Sequence, residues 1–235
     1  MKGVQIDGEK MDTDIVLCNG DVVVCFNELI DSYPKTTNGL NRLEPSLSGL
    51  IFFWGIQGHY SQLKQHNIFF SQNYEKEFIQ LFQDQIPPDD PTIYISISSK
   101  QDHYHAPAGC ENWFVMINMP YLNNDSKAET WKIEQIRHTI IQKLNQYGFD
   151  IEGKIQFERT ITPQDIAAQF YSNQGSIYGI SSNTIRSAFK RPPNRSRQLQ
   201  GLYFAGGSTH PGGGIPMCIL SGKFAAELID EFEGN

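Results

Sequence analysis

The stretch Leu202-Tyr203-Phe204-Ala205-Gly206-Gly207-Ser208-Thr209-His210-Pro211-Gly212-Gly213-Gly214-Ile215-Pro216-Met217 decides how the rest of the chain is read. Its first four residues are an apolar run of strand length and strand composition. Five glycines and two prolines follow in the twelve residues from Gly206 to Met217. Beyond Pro216 the apolar residues Ile219, Leu220, Phe224, Leu228 and Ile229 recur at helical spacing. Pro216 suits a first helical turn, where its missing N–H is not needed. The pattern from Gly201 to Ile229 therefore predicts strand, glycine-rich turn, helix. Backbone with so few Cβ atoms lets a ligand approach closely, and a helix N-terminus offers free N–H groups and a positive dipole end. The stretch is a candidate seat for a polar or anionic cofactor. A tight strand-to-helix joint would demand the same glycines with no ligand at all, so both readings stay open from these residues alone.

Spacing excludes two other motifs. Met217 stands where a dinucleotide fingerprint running from Gly212 would need its last glycine. His210 stands where a nucleophile elbow around Ser208 would need a glycine, which leaves Ser208 and His210 poor hydrolase candidates.

Composition narrows the class. The chain has 235 residues, enough for one large domain or two small ones, and 39% hydrophobic residues, enough for a core. A net charge of −7 argues against a nucleic-acid partner. No apolar run has the length of a membrane span, and Met1 to Asp7 lacks the apolar core of a secretion signal, so a cytoplasmic location is expected. Cys18, Cys25, Cys110 and Cys218 show neither a C-x-x-C pair nor zinc spacing, and are expected as buried thiols. His103 and His105 would share one face of a strand, but no further ligands accompany them and no metal is expected.

Val4-Gln5-Ile6 before Asp7-Gly8 predicts a hairpin, Ile15 to Cys18 a buried strand, and Val22 to Ile30 a short helix. These elements need a sheet to join. Residues 32–48 are polar and carry Pro34 and Pro45, which predicts a linker or a mobile excursion. Aromatic-rich strands follow at Leu50 to Ile56, His66 to Ser71, Ile93 to Ile97 and Trp113 to Met119, with a short helix between Asn73 and Gln83. Phe52, Trp54, Phe114 and Met116 on such a sheet are candidates for the wall of an apolar tunnel, or for ordinary sheet core. Ser126 and Glu129 form a capping box for a helix to Gln146; Ile155 to Glu158 is a strand; Thr162 to Asp165 caps a helix through Ile166 and Phe170. Arg186, Lys190, Arg191, Arg195 and Arg197 precede the glycine-rich stretch, either to neutralise a pyrophosphate or as a solvated loop.

The run from Leu202 to Pro216, with its Thr209-His210-Pro211-Gly212-Gly213-Gly214-Ile215-Pro216 core, resembles the C-terminal signature of bacterial carotenoid (phytoene) desaturases, which depend on FAD. Ser48 to Gly55, His66 to Ser71, Asn112 to Asn118 and Gly175 to Gly179 are similar to the branch acting on hydroxylated carotenoids. The resemblance covers only the C-terminal half of such an enzyme and implies a mixed α/β fold, part of a two-domain flavoprotein of the amine-oxidase type. The N-terminal βαβ unit with its G-x-G-x-x-G is not in this sequence, so a missing N-terminal half is the implied partner. The implied layout is residues 1–30 as a fragment of the FAD-binding domain, 31–165 as the substrate domain, and 166–235 as the return to the FAD-binding domain.

Carried residue by residue, the resemblance sets Gly206, Gly207 and Ser208 beside the ribityl and phosphate region, and Gly214, Ile215, Pro216 and Met217 under the isoalloxazine. Met217 N–H is the implied donor to the flavin O2. Related amine-oxidase-type proteins often carry an acidic residue where Gly207 stands, and its absence fits the desaturase branch. The implied reaction converts a C–C single bond of an acyclic or hydroxylated carotenoid into a double bond, with peripheral contact at a membrane surface and no activity expected of this chain alone. Two rivals are an isoprenoid-binding module without flavin and a flavin-dependent saturase of another polyene.

Overall fold

The computed structural model describes residues 2–30, 33–123, 131–181, 183 and 191–234. The chain divides into two compact units, Met1–Ser46 with Ile166–Asn235, and Leu47–Asp165. The fold is mixed α/β, as the sequence predicts.

The first unit opens with a hairpin of β1 (Gly3–Ile6) and β2 (Glu9–Asp12), whose register leaves Asp7 and Gly8 in a two-residue turn. Both turn residues have positive φ, 49° and 87°, which is the type I′ geometry that an Asp-Gly pair supports. A short strand β3 (Val16–Cys18) leads into the helical turn α1 (Val22–Val24), which widens to π winding over Cys25–Leu29. Asp21 starts it: its carboxylate accepts from Val23 N–H at 2.8 Å. The expected linker over residues 32–48 is not one throughout. Pro34–Leu40 forms helix α2, with proline in its first turn and Leu40 packed against the core of this unit. One apolar anchor in a polar stretch carries no periodic signal, and that hid the helix.

The second unit is a five-stranded antiparallel sheet. Its strands are β4 (Ser48–Gln57), β5 (His66–Phe69), β6 (Ile93–Ser96), β7 (Cys110–Met119) and β8 (Ile155–Ile161), in the order β5-β6-β7-β4-β8. Burial alternates residue by residue along β7 and β6, following the period of the pleat. Leu50, Phe52, Trp54 and Ile56 of β4 join Trp113, Val115 and Ile117 of β7 on one face. Helix α4 (Ile133–Gln146) contributes Ile140, Ile141 and Leu144 to that core. Each such side chain stabilises the fold by about 1.5–3 kcal/mol through burial. The expected capping box of Ser126 and Glu129 lies outside the described residues. Helix α3 (Tyr74–Ile79) runs into a second π segment, Gln80–Asp84. His103–His105 is a 3₁₀ turn rather than the expected strand, because Asp102 caps it by accepting from Tyr104 N–H at 3.0 Å.

Glu111 sits at one end of this core with 2% of its side chain exposed. It accepts from Lys100 Nζ at 2.5 Å, Trp113 Nε1 at 2.9 Å and Tyr60 N–H at 3.2 Å. Burial pushes its carboxyl up, but these donors outweigh burial and hold it below its usual range.

At the return to the first unit, helix α5 (Pro163–Phe170) begins with the predicted reciprocal cap. Thr162 N–H and hydroxyl donate to Asp165 Oδ2, while Asp165 N–H donates back to Thr162 Oγ1 at 3.2 Å. Strand β9 (Leu202–Phe204) pairs in parallel with β3, Val16 opposite Leu202 and Cys18 opposite Phe204. Helix α6 (Ile215–Glu233) follows the glycine-rich turn, so the strand–turn–helix reading of the deciding stretch holds. Val22, Phe26, Leu202 and Phe204 form the small core of this unit. Among the described residues, no helix is long and apolar enough to cross a membrane.

Candidate functional site

The glycine-rich turn is pinned from within its own unit. Asn194 is the hub: its Nδ2 reaches Phe204 O at 3.1 Å, His210 O at 2.9 Å and Ser221 Oγ at 2.9 Å. Ser221 Oγ also accepts from Gly206 N–H at 3.1 Å, so strand end, turn and helix α6 are tied at one point. Thr209, fully buried, donates its hydroxyl to Pro192 O at 2.6 Å. Arg191 donates to Gly207 O at 3.1 Å, Tyr178 O at 3.2 Å and Ile180 O at 2.8 Å, and burial lowers its pKa. Its guanidinium is committed to carbonyls rather than to a solvated loop. Arg195 lies over the Phe232 ring at 3.7 Å, and Arg186 and Lys190 lie outside the described residues.

The turn's glycines serve two different purposes. A Cβ on Gly213 would stand 2.9 Å from Tyr178 Cα, and one on Gly212 would stand 2.9 Å from Arg191 Nε. These two let chain segments approach each other. Gly214 is different: its φ is 105°, it precedes helix α6 as the N-cap, and nothing stands within 4 Å of where a Cβ would project.

The seven cofactor candidates separate accordingly. Gly206 and Ser208 are buried and Gly207 half-buried, and Ser208 Oγ already accepts from Val22 N–H at 3.0 Å. Gly214, Ile215, Pro216 and Met217 are exposed at the start of α6. The first bond within that helix runs from Cys218 N–H to Gly214 O at 2.9 Å, so Met217 N–H has no helical acceptor. An unobstructed glycine with outward N–H groups at a helix start fits an electron-rich ring edge. Ser208 Oγ accepts from Val22 N–H and keeps its hydroxyl hydrogen to donate. Next to the turn, Asn19 donates to Ala205 O at 3.1 Å, and hydrogen bonding from Cys25 brings the neighbouring Cys18 thiol down to about 7.

In the second unit the four substrate candidates do not share a face. Phe52 and Trp54 are 0% and 1% exposed, in the core beneath the sheet. Phe114 and Met116 stand on the opposite, open face, where the register sets Phe114 against Phe53 and Met116 against Ile51. The sheet's period of two is the reason: on a strand apolar on both faces, composition does not give parity. Phe53 and Phe114 meet edge to face at 5.5 Å. Phe157 of β8, 60% exposed, lies opposite Gly55, and a Cβ there would approach Phe157 Cβ to 3.2 Å. The glycine makes room for the ring. These aromatics and Tyr94 line a groove of about 680 Å³ that also reaches Ser98, His105 and Asn112. A second cavity, about 550 Å³, lies in the first unit between Phe26, Leu40 and Phe204 and the arginines Arg191, Arg195 and Arg197.

Sequence reasoning missed Asn194, Arg191's role, Phe53 and Phe157. The open-face aromatics could have been found by extending the alternation of β7 across the sheet; nothing in the sequence marks Asn194.

A sequence model of flavin containing amine oxidoreductases matches residues 68–230. The chain belongs to that family. Within it, the chain is 42% identical over 97% of its length to a 1-hydroxycarotenoid 3,4-desaturase from Flavobacterium sp. (strain P99-3), covering 46% of that protein. It is 37% identical over 95% of its length to a 4,4'-diapolycopene oxygenase from Methylomonas sp, covering 45% of it. A 4,4'-diaponeurosporene oxygenase of Staphylococcus aureus (strain MSSA476) matches 99% of the chain at 37% identity, with 47% of that protein covered. The chain thus spans about half the length of the curated relatives it matches. The crystal structure of an oxidoreductase from Methanosarcina mazei superposes on 98% of the chain and 46% of its own, with a TM-score of 0.53 at 12% identity, a likeness of fold.

Proposed function

We propose that this member of the flavin-containing amine oxidoreductases supplies the polyene-binding sheet and the flavin-side turn of an FAD-dependent carotenoid desaturase. The observation that carries the reading is the open aromatic face of Phe53, Phe114 and Phe157, a water-shedding surface on an otherwise conventional antiparallel sheet. The relatives named for carotenoid desaturation and oxygenation support it. FAD is the cofactor by the same reading; when bound, it supplies the two-electron acceptor for turning a C–C single bond into a double bond. Gly206, Gly207, Gly214, Ile215 and Met217 would hold it, with Met217 N–H set to stabilise negative charge at the ring edge. Pro216 starts the helix without competing as a donor. The sheet face excludes water and orients an apolar chain. No side chain is assigned as acid or base. Contact with a membrane surface belongs to the proposal, since such a substrate dissolves in lipid.

The test is a chimera of this chain behind the N-terminal half of the Flavobacterium relative, given an acyclic hydroxylated carotenoid. The expected product carries one more double bond. A folded, FAD-loaded chimera that leaves the polyene unchanged, or removes a double bond, overturns the assignment.

A further inference from the structure

The aromatic groove of the five-stranded sheet is not apolar throughout. Toward the Cys110 end of β7, its lining changes to Asn112, Ser98 and His105, joined in one hydrogen-bonded chain. Asn112 Oδ1 accepts from Ser99 N–H at 2.9 Å, which fixes the amide so that Nδ2 faces Ser98 Oγ at 2.7 Å. Ser98 Oγ also lies 2.9 Å from His105 Nδ1, a hydrogen bond whose direction follows the imidazole tautomer. The other ring nitrogen, Nε2, faces Asp102 Oδ2 at 3.6 Å. One Asn112 amide hydrogen remains after the bond to Ser98.

This arrangement conflicts with a purely hydrocarbon occupant. A polyene lying along Phe53 and Phe114 and covering the cluster would strip water from half-buried donors and return nothing, a desolvation cost with no compensating bond. An occupant ending in a hydroxyl or carbonyl oxygen meets both demands: its body covers the aromatic rings, and its oxygen accepts from Asn112. We propose that Asn112, Ser98 and His105 form a subsite for the oxygenated end of a polyene. The inference rests on reading the sheet face as the polyene wall. It adds that the substrate is recognised by a terminal oxygen and that the apolar body alone does not specify it.

The experiment is a binding titration of the chain, followed through the visible band of the polyene, with two probes: an acyclic polyene bearing a terminal hydroxyl and its hydrocarbon counterpart. Wild type is expected to bind the hydroxylated probe about tenfold more tightly, the discrimination expected of a site with an otherwise unpaired donor. Asn112→Leu and His105→Leu should each reduce that preference to within about twofold of parity, while affinity for the hydrocarbon is kept. Should Asn112→Leu fail to fold after losing the Ser99 contact, His105→Leu, with half of its side chain exposed, still decides the matter. Equal affinity for both probes in wild type, or an undiminished preference in His105→Leu, overturns the subsite and leaves the sheet face standing. Failure of both probes to bind the folded wild type overturns the sheet-face reading and the subsite with it.

Discussion

The two units of this chain hold their candidate binding surfaces by opposite means. The unit of residues 47–165 has five strands, a core in which Trp54, Trp113, Leu50 and Ile117 are almost fully buried, and one helix on the core face. Its candidate surface is made of side chains. The other unit carries two separate two-stranded sheets, the hairpin β1–β2 and the short parallel pair β3–β9, and holds its turn through backbone and a few polar hubs such as Asn194. Its candidate surface is N–H groups and a glycine without a Cβ. Packing can hold a side-chain surface; a backbone surface depends on hydrogen bonds that must each be satisfied, and parallel pairs of this size bury little. The first unit is therefore expected to open at lower cost than the second.

The largest effect that would break this contrast comes from the packed core. Trp54→Ala should cost about 3–5 kcal/mol in denaturant unfolding of the second unit, while Phe53→Ala, next to it but on the open face, should cost about 1 kcal/mol or less. Similar costs for the two would contradict the parity assigned to β4.

Next is the buried carboxylate. Lys100→Met leaves Glu111 without its cation and should cost about 3 kcal/mol near neutral pH. The sign follows from Glu111's lowered pKa: its contribution is complete above the ordinary value of 4.5 and is lost as pH falls through the folded value. Wild type and Lys100→Met should thus converge in stability on acidification, and a gap that stays constant with pH would exclude the ion pair as its source.

Smaller effects belong to the turn. Asn194→Ala should cost about 2 kcal/mol and raise amide exchange in Phe204 to His210 and in the first half of α6, with the second unit unchanged. Ser208→Ala should cost about 1 kcal/mol, seen most clearly at the Val22 amide that loses its acceptor. If either variant shifts unfolding of the five-stranded sheet as much as that of the turn, the units do not unfold independently.

What was legible in the sequence was local. The Asp7-Gly8 turn, the alternation of Trp113 to Met119, the reciprocal cap of Thr162 and Asp165 and the strand–turn–helix over Gly201 to Ile229 all depend on neighbours within a few residues. What was hidden depends on distant partners. Ser208 is used by Val22, 186 positions away, and Asn194 is placed by three segments at once. Composition leaves Phe52, Trp54, Phe114 and Met116 alike as tunnel wall or sheet core; the register with β7, which composition does not contain, separates them. The family was readable from the glycine-rich signature. Which glycine is left open, Gly214, and which abut Tyr178 and Arg191 was not.

The most direct test of the account is the absorption spectrum of this chain purified from cells that make an acyclic hydroxylated carotenoid, beside Phe114→Asp. The account predicts polyene bands with wild type and their loss in a folded Phe114→Asp protein. Polyene bands of equal height in both proteins, or none in folded wild type, would contradict it.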